Sequence, residues 1–222
     1  MPATTGAPTL LLVPTELELA RLADHGGFPE GVGLVRTCGF GPVAAAARTS
    51  ALLARLSPAR VVLVGIAGSY DAQALPVGTA VQFQAAAIEG IGVGEGERLL
   101  APPALGFPQW PGRAPGAAIH DRIELAPLMA PRAPAPLLLT TCSASDSPAH
   151  AAQRRARFPE AAAEDMEGFG VALACAMEGV PLAIVRGISN EVGDRDPARW
   201  RIPSALCAAR ELVLALLARG SG

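Results

Sequence analysis

Four short stretches of the sequence place carboxylates, an amide and small residues in patterns that could bind and cleave a polar small molecule. They are PTELE at 14–18, GIAG at 65–68, EDMEG at 164–168 and RGISN at 186–190. A carboxylate can activate water or accept hydrogen bonds from hydroxyls, whereas an amide can donate one to a heterocycle. In open α/β sheets ligands bind beyond the carboxyl ends of the strands, where we expect these stretches to meet.

Alternating strands and helices are predicted to position them. Apolar runs favour strands at 10–13, 32–38, 60–65, 137–142 and 181–188, with one or two more within 77–88. Helices are expected at 43–56, 148–157, 166–178 and 203–218, and after Thr15, which can cap one. The pattern predicts an α/β fold, a single domain with a central mixed, largely parallel β-sheet flanked by helices. The domain is expected to span 9–219, between a disordered lead at 1–8 and a frayed tail at 220–222.

Composition narrows the classes of function. The 222 residues carry a net charge of −2, and all 18 basic residues are arginine. The absence of lysine excludes Schiff-base enzymes, Walker-type P-loops and Ser-Lys nucleophile pairs. The slightly acidic balance disfavours nucleic acid and anionic membranes as partners, and no apolar run is long enough to span a bilayer. Because no signal peptide is recognisable, a cytoplasmic protein is expected.

Other motifs are weak or absent. The four cysteines are too far apart for a CxxC pair, and the three histidines are scattered. The glycine-rich run at 90–96 is not followed by the helix of a dinucleotide-binding unit. The sequence therefore predicts no metal site and no cofactor.

Two longer segments carry a specific resemblance. FPEAAAEDMEGFGVALAC at 158–175 and VRGISNEVGDRD at 185–196, which continues to WRIP at 200–203, resemble the nucleoside phosphorylase and nucleosidase superfamily. Within it the likeness is greatest to the futalosine hydrolases, and it covers nearly the whole chain. It implies that water cleaves futalosine to hypoxanthine and dehypoxanthine futalosine, in menaquinone biosynthesis. Such cleavage passes through an oxocarbenium-like state, with positive charge on the ribose and negative charge on the departing purine.

The resemblance implies roles for individual residues. Glu18 corresponds to the glutamate that activates water, with Glu16 as the alternative if the alignment slips. Met166 and Glu167 correspond to residues that hold the ribose, the glutamate by accepting hydrogen bonds from the 2′ and 3′ hydroxyls. Asn190 stands where adenine-releasing relatives carry aspartate. Its amide can donate to O6 or N7 of a 6-oxopurine but cannot protonate the base.

Supporting residues are expected around these groups. The resemblance matches Gly65, Ile66, Ala67 and Gly68 to a small turn that the sugar and the water approach. It matches Arg186 and Ser189 to residues that support the catalytic groups. A buried arginine needs a carboxylate partner, and Glu18 is the expected one.

The two ends of the substrate leave alternatives open. Trp200 corresponds to an aromatic residue at the 5′ end of the sugar pocket, where the carboxyphenyl ketone of futalosine would need an arginine. The candidates for that arginine are Arg195, Arg199 and Arg201. At the base, Ala144 stands where related nucleosidases stack an aromatic residue. Phe169, Phe107 or Tyr70 would have to substitute, or apolar side chains would hold the base.

Water is favoured over phosphate as the attacking group. Val64 stands where phosphorylases of the superfamily place an arginine, and the acidic PTELE turn replaces their glycine-rich anion turn. The alternatives are a methylthioadenosine or aminodeoxyfutalosine nucleosidase, which Asn190 disfavours, a purine nucleoside phosphorylase, and an inactive nucleoside-binding protein. The expected partner is a small-molecule nucleoside, not nucleic acid or a membrane. The superfamily also implies a homo-oligomer, a dimer or larger.

Overall fold

A computed structural model describes residues 7–114, 116–129 and 136–219, so that most of the lead predicted at 1–8 and all of the tail predicted at 220–222 lie outside it. The strands are β1 (Thr9–Val13), β2 (Leu34–Thr37), β3 (Arg60–Ser69), β4 (Ala80–Phe83), β5 (Ala85–Ile88), β6 (Arg122–Glu124), β7 (Leu137–Thr140), β8 (Ala161–Asp165) and β9 (Leu182–Glu191). The helices are α1 (Glu16–Asp24), α2 (Pro42–Leu56), α3 (Pro102–Leu105), α4 (Pro148–Arg157), α5 (Gly168–Glu178) and α6 (Ile202–Arg219). Short 3₁₀ turns occur at Gly96–Arg98 and Pro197–Arg199.

The strands of the described residues form one mixed sheet, which confirms the predicted fold class. Its main order is β2-β1-β3-β8-β7-β5-β6, and β9 pairs with both β3 and β4. The pairs β1–β2, β1–β3, β3–β9, β5–β7 and β7–β8 are parallel. The pairs β3–β8, β4–β9 and β5–β6 are antiparallel. No described helix is long and apolar enough to cross a membrane.

Alternation of apolar side chains along the central strands explains the two helical layers. Leu10 and Leu12 of β1 pack in one buried cluster with residues of α2 and α5. Leu11 and Val13 point to the opposite face and join a cluster with residues of α1 and α6. Because successive side chains of a strand face opposite sides, a strand that is apolar throughout must be covered on both faces.

The long strand β3 creates an opening in the sheet. Its whole length pairs with β9 along one edge, from Val61 to Ser69. The other edge pairs first with β1, up to Leu63, and then with β8, from Gly68 onward. Between these two pairings no strand of the described chain covers this edge. Backbone groups of β3 are therefore free there to bind side chains or a ligand.

Several elements differ from the sequence predictions. Strands β6 and β8 and helix α3 were not expected, and α5 begins at Gly168 rather than at Met166. Residues 65–68, predicted as a small turn, lie within β3, because its pairing with β9 continues to Ser69. The acids Glu164 and Asp165, expected at the start of a helix, therefore lie in β8. The AAAED sequence of β8 is weak as a strand former, since alanine is depleted in strands, and pairing with β3 and β7 overrides that preference.

Candidate active site

A cavity of about 340 Å³ opens over the uncovered edge of β3. Nearly all of the predicted site residues line it: Glu18, Ile66, Ala67, Gly68, Met166, Glu167, Ser189, Asn190 and Trp200. Gly65 and Arg186, also predicted, do not line the cavity. A wider groove of about 510 Å³, beside residues 110–124 and the end of α5, holds none of the predicted residues. The four stretches singled out in the sequence thus meet at one place.

Glu18 is held in the uncovered edge by two elements. Thr15 caps α1, and its hydroxyl donates to Glu18 Oε2 at 2.7 Å. Glu18 Oε1 accepts the backbone N–H of Ile66 at 3.0 Å, one of the donors that β3 leaves free. The side chain is buried yet lines the cavity, so its carboxylate retains lone pairs for a bound water. Glu16, the alternative, is exposed and accepts a hydrogen bond from Thr37 at 2.9 Å instead.

Arg186 lies beneath the cavity and is fully buried. The expected ion pair with Glu18 is wrong: Arg186 Nε and Nη2 both donate to Asp165 Oδ2, the former at 3.1 Å, and Nη2 lies 3.5 Å from Glu167 Oε2. Asp165 can reach Arg186 because β8, the strand that was not expected, ends beside β3. Thr140 Oγ1 at 2.6 Å and Gly168 N at 2.8 Å also donate to Asp165.

Gly65 explains how closely these charged groups pack. A Cβ atom at this position would lie 2.7 Å from Glu18 Oε1 and 2.9 Å from Pro14 Cδ, and would collide with Arg186 Nη1. Any side chain would therefore separate Arg186 from Glu18. Gly65 serves the site by close backbone approach, not by contact with the cavity.

Glu167 lies directly before α5 and lines the cavity. Its Oε1 accepts the backbone N–H of Gly41 at 3.0 Å, and its Oε2 approaches Arg186. Burial raises the pKa of Glu167 to about 7, because Arg186 and the Gly41 hydrogen bond only partly offset the loss of water and the charges of Asp165 and Glu18. Glu167 therefore changes its charge near neutral pH. Met166, its neighbour, is half-buried and lines the same cavity.

Asn190 is aimed into the cavity by a β-bulge. Ile188 pairs with Ala67 but Asn190 pairs with Gly68, so that Ser189 is the extra residue. Such bulges redirect side chains next to active sites. Ser189 Oγ donates to Asn190 Oδ1 at 2.7 Å, and Asn190 Nδ2 donates to the carbonyl of Glu191 at 2.8 Å. Because only an N–H can face that carbonyl, the amide orientation is determined, and the second N–H has no partner among the described residues and can bind a ligand.

The Trp200 end of the cavity contains a single arginine. Trp200 Nε1 donates to the carbonyl of Asp194 at 3.1 Å, and the Arg195 guanidinium lies 4.9 Å from the indole ring centroid. Arg195 is the one basic residue among the described residues that line the cavity. Arg199 is bound to Asp194 at 2.6 Å and to Asp196 at 3.5 Å, outside the cavity. Arg201 also lies outside this cavity, although all three arginines line an adjoining groove of about 640 Å³. Arg195 alone lines both, which distinguishes it from the other two.

The aromatic side chains considered for the base lie elsewhere. Phe169 is in the core, Phe107 is exposed away from the cavity, and Tyr70 donates its hydroxyl to Glu164 Oε2 at 2.7 Å. None of the three is among the described residues that line the cavity. Ala144 does line it, and so does Phe40, from the glycine-flanked turn after β2. A glycine on each side of an aromatic residue in a strand-end turn was the feature that could have indicated Phe40.

Two further polar residues of the cavity were missed. Glu164 and Ser145 line it and are hydrogen-bonded to each other. Glu164 could have been suspected only from its place in the EDMEG stretch. Among the described residues no cluster of three or more histidine, cysteine or acidic side chains could hold a metal ion.

Comparisons with known proteins show similarity along nearly the whole chain. The family model of the phosphorylase superfamily matches residues 22–218. The chain is 38% identical to a futalosine hydrolase of Streptomyces coelicolor, in an alignment that covers 83% of this chain and 78% of that protein. It is 33% identical to a futalosine hydrolase of Thermus thermophilus, over 96% of each chain. It also resembles the crystal structure of a 5′-methylthioadenosine/S-adenosylhomocysteine nucleosidase from Colwellia psychrerythraea in complex with adenine, with a TM-score of 0.75, 24% identity and 96% of each chain covered.

Proposed function

The chain belongs to the phosphorylase superfamily and is an N-glycosyl hydrolase, and we propose that its substrate is futalosine, cleaved to hypoxanthine and dehypoxanthine futalosine in menaquinone biosynthesis. One observation carries the proposal. Glu18 and Asn190 reach the same cavity from opposite edges of β3, and Met166 and Glu167 line that cavity with them. Three relatives bear the name futalosine hydrolase, two of them similar over most of this chain, and they support the choice of substrate.

Each polar group has a distinct task in this reaction. Glu18 takes a proton from water as the water oxygen bonds to C1′ of the ribose. Glu167 accepts hydrogen bonds from the ribose hydroxyls and, when ionised, favours the positive charge that develops on the sugar. As the bond between C1′ and N9 breaks, the free N–H of Asn190 donates to N7 or O6 of the leaving hypoxanthine. The base finally takes up one proton, which balances the proton lost by water.

The charges of the cavity favour water over phosphate. Glu18, Glu164, Asp165 and Glu167 line it, whereas its one described basic residue, Arg195, lies at the Trp200 end. A phosphate beside Glu18 would meet the like charges of Glu18 and Glu167, and the nearby cation, Arg186, lies beneath the cavity and is already paired with Asp165 and Glu167. The phosphorylase alternative is therefore disfavoured, although the family model includes phosphorylases in its description.

A second candidate is the adenine-releasing nucleosidase. Its support is the similarity to 5′-methylthioadenosine/S-adenosylhomocysteine nucleosidases, for example 26% identity over 97% of the chain to that of Colwellia psychrerythraea. Asn190 is the observation against it, because an amide cannot protonate adenine at N7.

Product analysis decides among these candidates. The purified protein is incubated in phosphate-free buffer with futalosine, aminodeoxyfutalosine, methylthioadenosine and inosine, and free bases are separated by chromatography. We expect hypoxanthine from futalosine in large excess over every other product. Cleavage only after phosphate is added would make the protein a phosphorylase. Faster release of adenine than of hypoxanthine would overturn the substrate assignment.

Arg195 is expected to bind the carboxylate of futalosine. It is stacked on Trp200, and Arg199 occupies the neighbouring carboxylates of Asp194 and Asp196. Arg195→Gln should therefore lower kcat/KM for futalosine by about 30-fold, since charge-assisted hydrogen bonds are among the stronger ones. Inosine, which lacks the carboxylate, should be cleaved by the variant as by the wild type. Arg199→Gln is the matched control, and an equal loss in both variants would contradict the assignment.

Assembly into a homo-oligomer is part of the proposal. Leu17, Phe40 and Val43 are 61%, 66% and 80% exposed, and the first two also line the cavity. Large apolar side chains exposed beside a site are typical of an interface. Val43→Glu is expected to convert the assembly to the 22.6 kDa monomer in light-scattering measurements, whereas Val93→Glu, at a 61% exposed residue that does not line the cavity, should not. A wild-type protein that is already monomeric at micromolar concentration would refute the assembly.

A further inference from the structure

We propose that Glu164 determines the purine specificity by accepting a hydrogen bond from N1–H of hypoxanthine, which adenine bound at N9 to ribose lacks. The proposal deepens the assignment to futalosine and rests on it. Glu164 was not among the residues that the resemblance assigned to the site. The structure places it at the cavity through the register of the sheet.

The register of β3 places Glu164 and Asn190 on either side of one glycine. Gly68 pairs with Glu164 of β8 along one edge and with Asn190 of β9 along the other. Neighbouring strands lie about 4.8 Å apart, so the two flanking residues are about 10 Å apart across Gly68. A purine with one hydrogen bond on each side spans about the same width.

Gly68 lies beneath Asn190 and Val192. A Cβ atom there would lie 3.4 Å from Asn190 Nδ2 and 3.1 Å from Val192 Cγ2, so a side chain would crowd both. Glycine therefore gives Asn190 room at this point of β3, and the proposal places the base in the cavity with one edge toward Asn190 and the other toward Glu164. Both of these side chains line the cavity.

The hydrogen bonds of Glu164 make it an oriented acceptor. Its Oε2 accepts from Tyr70 and Ser145 hydroxyls, each at 2.7 Å, and from Arg154 Nη1 at 3.3 Å. Its Oε1 accepts only the backbone N–H of Ser145, at 2.7 Å, among the described residues. One lone pair of Oε1 is thus left for a ligand. The same contact occupies the Ser145 N–H, a donor that could otherwise have served N1 of adenine.

Hypoxanthine and adenine present opposite patterns to these groups. Hypoxanthine bound at N9 offers an N–H at N1 and acceptors at O6 and N7, which match Glu164 and the free N–H of Asn190. Adenine offers a lone pair at N1, which would face the carboxylate, and an amino group that would face the Asn190 N–H. A site built to pair with a polar group discriminates strongly against an analogue that lacks it.

The test compares futalosine with aminodeoxyfutalosine, which differ only in the base. Glu164→Gln keeps one oxygen to accept the Ser145 N–H but removes the negative charge, so the acceptor for N1–H of hypoxanthine is weaker and the repulsion of the N1 lone pair of adenine is smaller. We expect the wild-type preference for futalosine, as a ratio of kcat/KM values, to fall by about 30-fold or more in the variant. Glu89→Gln is the matched control. Glu89 binds Arg154 and Arg157 outside the cavity, so its loss perturbs the same buried charges but should leave the ratio unchanged.

A measurement on the wild-type protein keeps the test independent of folding of the variant. Calorimetry with free hypoxanthine and with 1-methylhypoxanthine, which has no N1–H, should show about 30-fold weaker binding of the methylated base. A variant that retains the wild-type ratio, or wild-type protein that binds both bases equally, would overturn the role of Glu164. Failure of the proposed function is distinguishable, since the wild-type protein would then not release hypoxanthine from futalosine.

Discussion

Glu18→Gln is expected to lower kcat for hypoxanthine release by about 10³-fold, the usual contribution of a positioned general base. Glutamine has nearly the shape of glutamate. Its carbonyl oxygen can still accept from Ile66 N, and its amide can donate to the Thr15 hydroxyl that now donates to Glu18. The variant should therefore fold and bind substrate with a Kd close to that of the wild type, measured by calorimetry, while it no longer removes a proton from water.

Glu16→Gln is the control for this substitution. It makes the same chemical change two residues away, on an exposed side chain bonded to Thr37 outside the cavity. Its kcat should stay within about threefold of the wild type, since surface substitutions away from special features have small effects. If Glu16→Gln loses activity and Glu18→Gln keeps it, the alternative register of the PTELE stretch is correct and the mechanism must be rewritten around Glu16.

The position of Glu18 shows which parts of the site could be predicted from the sequence. A helix capped by Thr15 directly after a buried strand requires its first turn to lie at the carboxyl end of that strand. The apolar strands around Leu10 and Val62 are recognisable because burial on both faces leaves continuous apolar runs. These local rules led to the fold class and to the convergence of the four polar stretches.

The partners of buried charges could not be predicted in the same way. Arg186 was expected to pair with Glu18, which is nearby, but its partner is decided by where β8 ends. Three consecutive alanines gave no indication of a strand there, since their pairing with β7 comes from tertiary contacts. The choice of Arg195 over Arg199 depends likewise on the path of the loop after β9, which brings Arg195 over Trp200.

The role of Glu164 could not be predicted from the sequence either, because it too depends on strand β8. In the sequence it is one of three acids within four residues, and its neighbours suggest a solvated helix start. In the sheet the alternation of β8 separates their tasks, so that Asp165 binds Arg186 while Glu164 binds Ser145 and Tyr70. A strand places successive side chains on opposite faces, and this alternation gives neighbouring acids of the cluster different partners.

Glu167→Gln is expected to abolish a pH dependence as well as to lower activity. In the wild-type protein kcat/KM should fall as the pH drops through about 7, because protonation of Glu167 removes an acceptor for the ribose hydroxyls and a negative charge beside the developing cation. The glutamine variant should lack this step, and its kcat/KM at pH 8 should be lower by about 10²-fold. A variant that keeps the step with a pKa near 7 would show that another group titrates.

The same substitution should make the stability less sensitive to pH. The pKa of Glu167 is raised from 4.5 to about 7 on folding, so its protonated form is favoured in the folded state. Its stabilising contribution is complete below pH 4.5 and is lost as the pH rises through 7, where the buried carboxylate must ionise. The quantity to compare is the melting temperature of Glu167→Gln minus that of the wild type. This difference should therefore be larger at pH 8 than at pH 5. Taking the difference between the two pH values cancels any constant cost of the altered contacts with Gly41 and Arg186.

Glu16→Gln, on an exposed side chain, should show no such difference, and an equal effect of pH on Glu167→Gln and wild type would contradict the raised pKa. The glutamate that holds the ribose would thus be retained at a cost in stability at neutral pH, a trade-off that is common at active sites.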